Sequence, residues 1–427
     1  LVCSNDNKNK HVRTGDTPLQ MTILTSIAGV LAMLGIGYAA STARGHINWR
    51  TIGTALLLQA AIAALVLYVP QGGVVLDAAV RGVRHVLNFA MDGVKFVFGE
   101  NFEENLGFTV ALNVLPVIVF VGALMSVLYY LGIMQLVIGT VGGWLHRLLK
   151  TSHPESISAV SNIFVGHTDA PLVIRPYLKN MTESELFAVM VGGCATIASA
   201  VMMGFAQLGV ELKYLITASC MAAPGGLLMA KLMIPETEER SEKFDPKNLG
   251  ETDKPVNIFE AIGNGAMTGM QVAFSVGAML VAFVALVALV NGALTGIGGW
   301  FGFEELTLQW LLGWVFMPIA LLLGVPVAEA AEAGSLIGQK LVINEFYAYL
   351  SFVQIKEALS PHTQLVVSFA LCGFANLSSI AILLGGLGAI VPERRHDIAR
   401  LGLKAVIGGT LVNLMNAALA GLFFTLQ

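Results

Sequence analysis

The feature that most restricts what this chain can become is the recurrence of apolar runs about as long as a bilayer is thick. A helix that crosses the ~30 Å hydrocarbon core takes ~20 mostly apolar residues. Such runs recur at 22–40, 54–69, 107–133, 184–209, 213–234, 265–296, 363–391 and 401–426. Soluble domains carry about 25% charged residues. Of the 427 residues here, 56% are hydrophobic and only 12% are charged, too few to solvate a surface around runs of this length. The chain is therefore expected to be an all-α polytopic membrane protein.

The formal net charge of −4 provides no basic face for nucleic acid. Cys194, Cys220 and Cys372 lie in apolar runs and Cys3 in the polar N-terminal stretch. None forms a CxxC or Cys/His spacing, so neither a disulfide framework nor a metal site is read from them. Residues 1–20 are polar and lack the apolar h-region of a signal peptide. They are expected to be an extension upstream of a start at Met21.

Short loops rich in Lys and Arg face the cytoplasm. Arg44 and Arg50 follow the first run, and Arg394, Arg395 and Arg400 precede the last. Both groups on the cytoplasmic side would put both termini outside the cell. Segment 236–256 has mixed charge and is expected to be a cytoplasmic linker. The chain then divides into the extension 1–20, N-terminal helices over 21–106, one half over 107–235, the linker, and a second half over 257–427. Within 74–97, Leu76, Val80, Val83, Leu87, Met91 and Val94 recur at helical spacing, with Asp77, Arg81, Arg84, Asp92 and Lys95 elsewhere. That pattern predicts a helix lying in the interface plane.

The two halves resemble each other. GGCATIAS at 192–199 matches CGFANLSS at 372–379 through Gly193, Ala195 and Ser199 against Gly373, Ala375 and Ser379, with Thr196 and Asn376 at the same mid-span point. A GGW triplet closes the first span region of each half, at Trp144 and Trp300. Before each matched run lies an apolar segment broken by polar residues, SNIFVGHTDAPLVI at 161–174 and GQKLVINEFYAYL at 338–350. Three spans separate the starts of the halves, so they run in opposite directions. Inverted repeats with interrupted helices place a transporter's site near the midplane. Segment 305–325 corresponds to the shorter 134–149 and is expected to pack along the interface rather than cross.

A charged side chain at mid-bilayer costs roughly 2.5–3.5 kcal/mol, so it needs a partner or a wet cavity. Five groups stand out on that ground: His167, Asp169, Arg175, Lys340 and Glu345. Gly166 and Pro171 bracket the His167-Thr168-Asp169 triplet, which predicts a re-entrant hairpin; Asn344-Glu345-Phe346 predicts a second. Asp169 with Arg175 and Glu345 with Lys340 could instead pair and only hold the hairpins. Asn162, Thr196, Asn376, Ser378 and Ser379 could be helix-packing polar groups. Read as a pocket, these carboxylates and amides suit a neutral ligand with many hydroxyls, since each buried polar group left unpaired costs ~1–3 kcal/mol. No GxSxG, HExxH or P-loop occurs, so no hydrolytic site is expected.

GHTDAPLVIRPYL, MTESELFAVM, NEFYAYL and GFANLSSIAILLGGLG resemble the motifs of the concentrative nucleoside transporter family, and the similarity runs from about Met21 to the C-terminus. The resemblance implies eight transmembrane helices, two re-entrant hairpins, interfacial helices and a trimer whose transport domains move like elevators. It implies nucleobase contacts at His167, Thr168, Asp169 and Val201, and ribose contacts at Glu345, Asn376, Ser379 and Phe374. Sodium ligands are implied at Asn162, Val165, Thr196 and Ile197. The family usually shows Gln-Thr-Glu where this chain has His167-Thr168-Asp169, and many members carry Trp where Val327 stands. The expected function is sodium-coupled import of nucleosides such as uridine through the cell inner membrane. The alternatives are coupling by protons, carried by His167 or a carboxylate, and a membrane receptor that binds without translocating.

Overall fold

The computed structural model describes residues 19–101, 107–239, 255–303 and 305–427. The expected N-terminal extension, Cys3 included, lies almost wholly outside the described residues, as do linker positions 240–254. Among the described residues all regular structure is helical.

Two helices open the fold, α1 (Leu19–Ala39) and α2 (Trp49–Leu67). Their connection is closed by polar caps: the Arg44 guanidinium donates to Ala39 O at 2.8 Å, and Asn48 Oδ1 accepts from the Arg50 and Thr51 amides. The interfacial expectation over 74–97 corresponds to α3 (Pro70–Phe98). Val80, Leu87 and Val94 are buried, Leu76, Val83 and Met91 half-buried, and the five charged positions exposed. Binary patterning alone fixes this face, because turning the helix would put five charges against the core.

The first repeat begins with a π turn over Val110–Val114 that runs into α4 (Leu115–Tyr130), followed by α5 (Ile133–Leu149). Hairpin 1 descends through α6 (His153–Phe164) and returns through a 3-10 segment, Ala170–Ile174, and the single turn α7 (Arg175–Leu178). The expected span 184–209 is two helices, α8 (Glu183–Ala195) and α9 (Ser199–Gln207), and α10 (Leu212–Met233) completes the repeat.

The second repeat repeats this order: α11 (Ile258–Trp300), α12 (Leu308–Leu322), hairpin 2 as α13 (Ala330–Val342) and α14 (Glu345–Ile355), then α15 (Pro361–Leu371). The expected span 363–391 is not one helix. The backbone leaves helical geometry after Leu371 and resumes in α16 (Ser379–Gly385) and α17 (Leu387–Ile390), and α18 (Arg395–Thr425) closes the chain. Among the described residues seven segments are long and apolar enough to cross a bilayer, and the interrupted 361–390 stretch supplies the eighth.

Two further differences from the sequence expectations have simple causes. α11 has 43 residues, about 64 Å at 1.5 Å per residue, because Asn257 caps it well before the apolar run starts. The GGW triplets do not occupy equivalent places, since Trp144 lies within α5 while Trp300 ends α11. α12 has only 15 residues, about 22 Å, with Pro318 inside, which suits a helix along the interface.

Two packing regimes separate the elements. α10 is 89% buried over its most apolar stretch and α8–α9 83%, against 17% for α11, so the former make the core and the latter the periphery. α4 and α11 cross at glycines: a Cβ on Gly122 would stand 2.7 Å from Gly265 O, and one on Gly269 2.8 Å from Val119 Cα. Lipid offers no hydrophobic drive for such contacts, so close backbone approach provides the attraction.

Candidate functional site

Hairpin 1 is built from its cap inwards. Ser152 and Glu155 form a capping box at the start of α6, the Ser152 amide donating to Glu155 Oε1 at 2.5 Å. The helix stops at Val165, whose amide bonds Ser161 O at 2.9 Å. The turn is then tied by Gly166 O, which accepts from the Asp169 and Ala170 amides at 3.0 and 2.9 Å. Gly193 of α8 lies against the tip, where a Cβ would sit 2.7 Å from His167 Cβ, and Gly386 meets the Thr168 methyl in the same way at 2.9 Å. These glycines explain why the tip can seat between both repeats.

His167 is 7% exposed, and neither ring nitrogen has a protein hydrogen-bond partner. Its ring meets Phe374 edge-on, with centroids 4.8 Å apart. Thr168 Oγ1 donates to Asp169 Oδ1 at 3.2 Å. Val201 is buried on α9. Arg175, at the start of α7, is exposed.

Hairpin 2 turns at Asn344, whose Oδ1 caps α14 by accepting the Tyr347 amide at 2.8 Å. Glu345 is the first residue of α14, where the partial positive charge of the helix N-terminus favours a carboxylate. Its Oε2 accepts from Asn376 Nδ2 at 2.8 Å. Asn376 Oδ1 in turn accepts from the Ser379 amide at 3.0 Å, Ser379 Oγ at 3.1 Å and Ser378 Oγ at 2.6 Å. Ser379 Oγ also donates to Phe374 O. The residues proposed for ribose thus form one connected row beside Phe374, so the two hairpin tips converge on the same unwound stretch.

The breaks themselves are bonded to each other. The Phe374 amide donates to Thr196 O at 3.1 Å, and the Leu377 amide to Leu341 O at 3.1 Å. Asn413 of α18 donates to Ala195 O at 2.7 Å and to Cys372 O at 2.8 Å. Lys340 makes no ion pair with Glu345; its ammonium donates to Ala370 O at 2.8 Å and Asn413 Oδ1 at 2.6 Å. Asn162 Nδ2 donates to Ser158 O at 3.0 Å, while its buried Oδ1 has no protein donor. Thr196 Oγ1 donates to Gly192 O at 2.9 Å and Ile197 is fully buried. Val327 is 67% exposed on a 3-10 turn, away from the core.

Two groups escaped the sequence reading. Asn413, mid-run in 401–426, carried a visible signal as an amide in an apolar span. Lys231 carried the same signal in 213–234: its ammonium meets Glu155 Oε2 at 2.8 Å, Glu236 Oε2 at 3.3 Å and Ser184 Oγ at 3.0 Å. Near that cluster the Thr42 amide bonds Met233 O at 3.0 Å and Arg400 bonds Glu183 at 2.7 Å. The α1–α2 loop, the end of α10 and the start of α18 therefore share one end of the molecule.

Two inverted repeats with paired hairpins and interrupted helices, and charged groups gathered at their breaks, define a membrane transporter and not an enzyme. Residues 214–421 match the Na+ dependent nucleoside transporter C-terminus, residues 28–101 its N-terminus, and residues 111–211 a nucleoside-recognition domain. Nucleoside permease NupC of Helicobacter pylori is 47% identical over 416 residues, 95% of this chain and 98% of that protein. Sodium/nucleoside cotransporter 1 of Mus musculus is 37% identical over 427 residues, covering 96% of this chain and 65% of the mouse protein. Among solved structures, CNTnw in an inward-facing substrate-bound state superposes with a TM-score of 0.91 at 53% identity, over 95% of this chain and 99% of that one. An outward-facing CNTnw variant gives 0.92 at 53% identity, over 96% of this chain and 100% of that one. The chain belongs to the concentrative nucleoside transporter family, and it transports nucleosides by alternating access.

Proposed function

We propose that the protein imports nucleosides such as uridine together with sodium, by elevator-type movement of the hairpins and broken helices against a frame containing α4 and α11. Glu345, Asn376 and Ser379 bind the ribose beside Phe374. His167, Thr168, Asp169 and Val201 contact the nucleobase, and Asn162, Val165, Thr196 and Ile197 hold sodium.

The observation that carries this reading is the connected row Ser379–Asn376–Glu345, next to a buried imidazole with unpaired nitrogens. A carboxylate with two acceptor oxygens suits a vicinal diol, and an amide can both donate and accept. Amide, hydroxyl and main-chain oxygens at 162, 165, 196 and 197 suit a hard cation. The shared end formed by the α1–α2 loop and the start of α18 carries the Arg residues that favour the cytoplasm. That distribution supports a cell inner-membrane location with both termini outside, and family likeness supports a homotrimer.

Labelled uridine uptake into proteoliposomes, measured with sodium or choline across a pH series, tests the coupling. Accumulation that needs sodium is expected; sodium-independent uptake that rises in acid would reject it in favour of protons.

A further inference from the structure

The start of α2 and the end of α5 meet at one joint. Thr51 Oγ1 donates to Leu149 O at 3.0 Å, and the bond is buried. The residues next to it in sequence, Arg50 and Lys150, are thereby brought beside the same contact, and both are exposed. Arg147, three residues before Lys150, is exposed as well. Among the described residues none of these three forms an ion pair. The carboxylate nearest to them in sequence, Glu155, is buried and held by Lys231. Lys150 is also the one non-glycine residue with a positive φ, 56°, among the described residues. A helix end in that conformation usually takes glycine, so a lysine is kept there against the preference of the backbone.

The same joint is apolar on its outer side. Leu136, Trp144 and Leu148 are exposed along one side of α5, opposite the buried Ile138 and Leu145. Trp144 is 54% exposed and Trp49, beside Arg50, 62%. Tryptophan favours the headgroup level of a bilayer. Guanidinium and ammonium groups match phosphate oxygens, and an exposed apolar stripe leading away from them matches acyl chains, which a soluble anion lacks.

We propose that the α2–α5 joint binds an anionic phospholipid, with its phosphate held by Arg50, Arg147 and Lys150 and its acyl chains along Leu136, Trp144 and Leu148.

The test titrates purified full-length protein in detergent with dioctanoyl phosphatidylglycerol or dioctanoyl phosphatidylcholine and counts bound lipid by native mass spectrometry. The parent should bind the anionic lipid at least about tenfold more tightly, since each basic residue near the headgroup contributes roughly fivefold. Arg50→Gln, Arg147→Gln, Lys150→Gln combined should weaken that binding about a hundredfold. Arg81→Gln, Arg84→Gln, Lys95→Gln removes the same charge from α3 and should leave it unchanged. Equal losses in the two triple variants would show attraction by net charge alone and overturn the inference. So would inorganic phosphate that displaces the lipid at matched concentration, which marks a free-anion site. A first triple variant that keeps the lipid but loses its oligomeric state marks an interface between copies, and also overturns it. Should that variant not be monodisperse, Trp144→Ser decides with every charge in place: phosphatidylglycerol binding weakened about tenfold supports the site, and unchanged binding rejects it.

Discussion

The main-chain amide of Phe374 donates to the carbonyl oxygen of Thr196 across 3.1 Å, joining the break in one repeat to the break in the other. Unwound backbone survives at membrane depth only where its polar groups find partners inside the protein. Here the two interruptions are partly each other's solution, and the rest falls to Asn413 and Lys340.

Truncating Asn413 should therefore be costly. Asn413→Ala strands Ala195 O, Cys372 O and one N–H of the Lys340 ammonium, at ~1–3 kcal/mol for each unpaired group. A loss of about 3 kcal/mol or more is expected from thermal unfolding in detergent. Thr410→Ala on the same helix removes only a bond to Val406 O of its own turn and should cost under about 1 kcal/mol. Equal effects of the two would contradict the bracing role of Asn413.

Glu345→Gln keeps the size of the side chain and removes its charge. Hydrogen bonds to a charged group contribute about 1.5–3 kcal/mol each, so two ribose hydroxyls predict a loss of roughly a hundredfold or more in uptake efficiency. Initial rates of uridine uptake over a concentration series measure it. Full transport at unchanged affinity would remove Glu345 from the ribose site.

His167 and Asp169 replace the amide and the longer carboxylate usual in the family. The double variant His167→Gln, Asp169→Glu should reorder the competition of purine and pyrimidine nucleosides against uridine by about tenfold, the scale of one hydrogen bond. Discrimination against deoxyribose should stay as it was. An unchanged ranking would mean that these side chains do not read the base.

The Lys231–Glu155 pair is almost wholly buried, with side chains 7% and 0% exposed. Removing one member of such a pair costs about 3–5 kcal/mol, whereas replacing both with apolar or neutral groups costs much less. Lys231→Met should lower the unfolding temperature sharply, and adding Glu155→Gln should restore most of it. Additive losses would show that the ion pair is not the source of the effect.

The spans, the one-sided α3 and the polar residues of both hairpins were legible in the amino-acid order, because partition into lipid depends on composition over ~20 residues, a local property. So was the likeness of 192–199 to 372–379. Which segments cross, which lie flat and which residue types reach the midplane can thus be read from local stretches of chain. Where the long runs break, and what holds their ends, depends on contacts between segments far apart in the chain. Asn413 reaches Cys372 across 41 residues of chain and Ala195 across 218, and Lys340 turns from Glu345 to that same amide. No local pattern encodes those partners: an exposed carbonyl is satisfied by whichever donor the packed helices bring beside it.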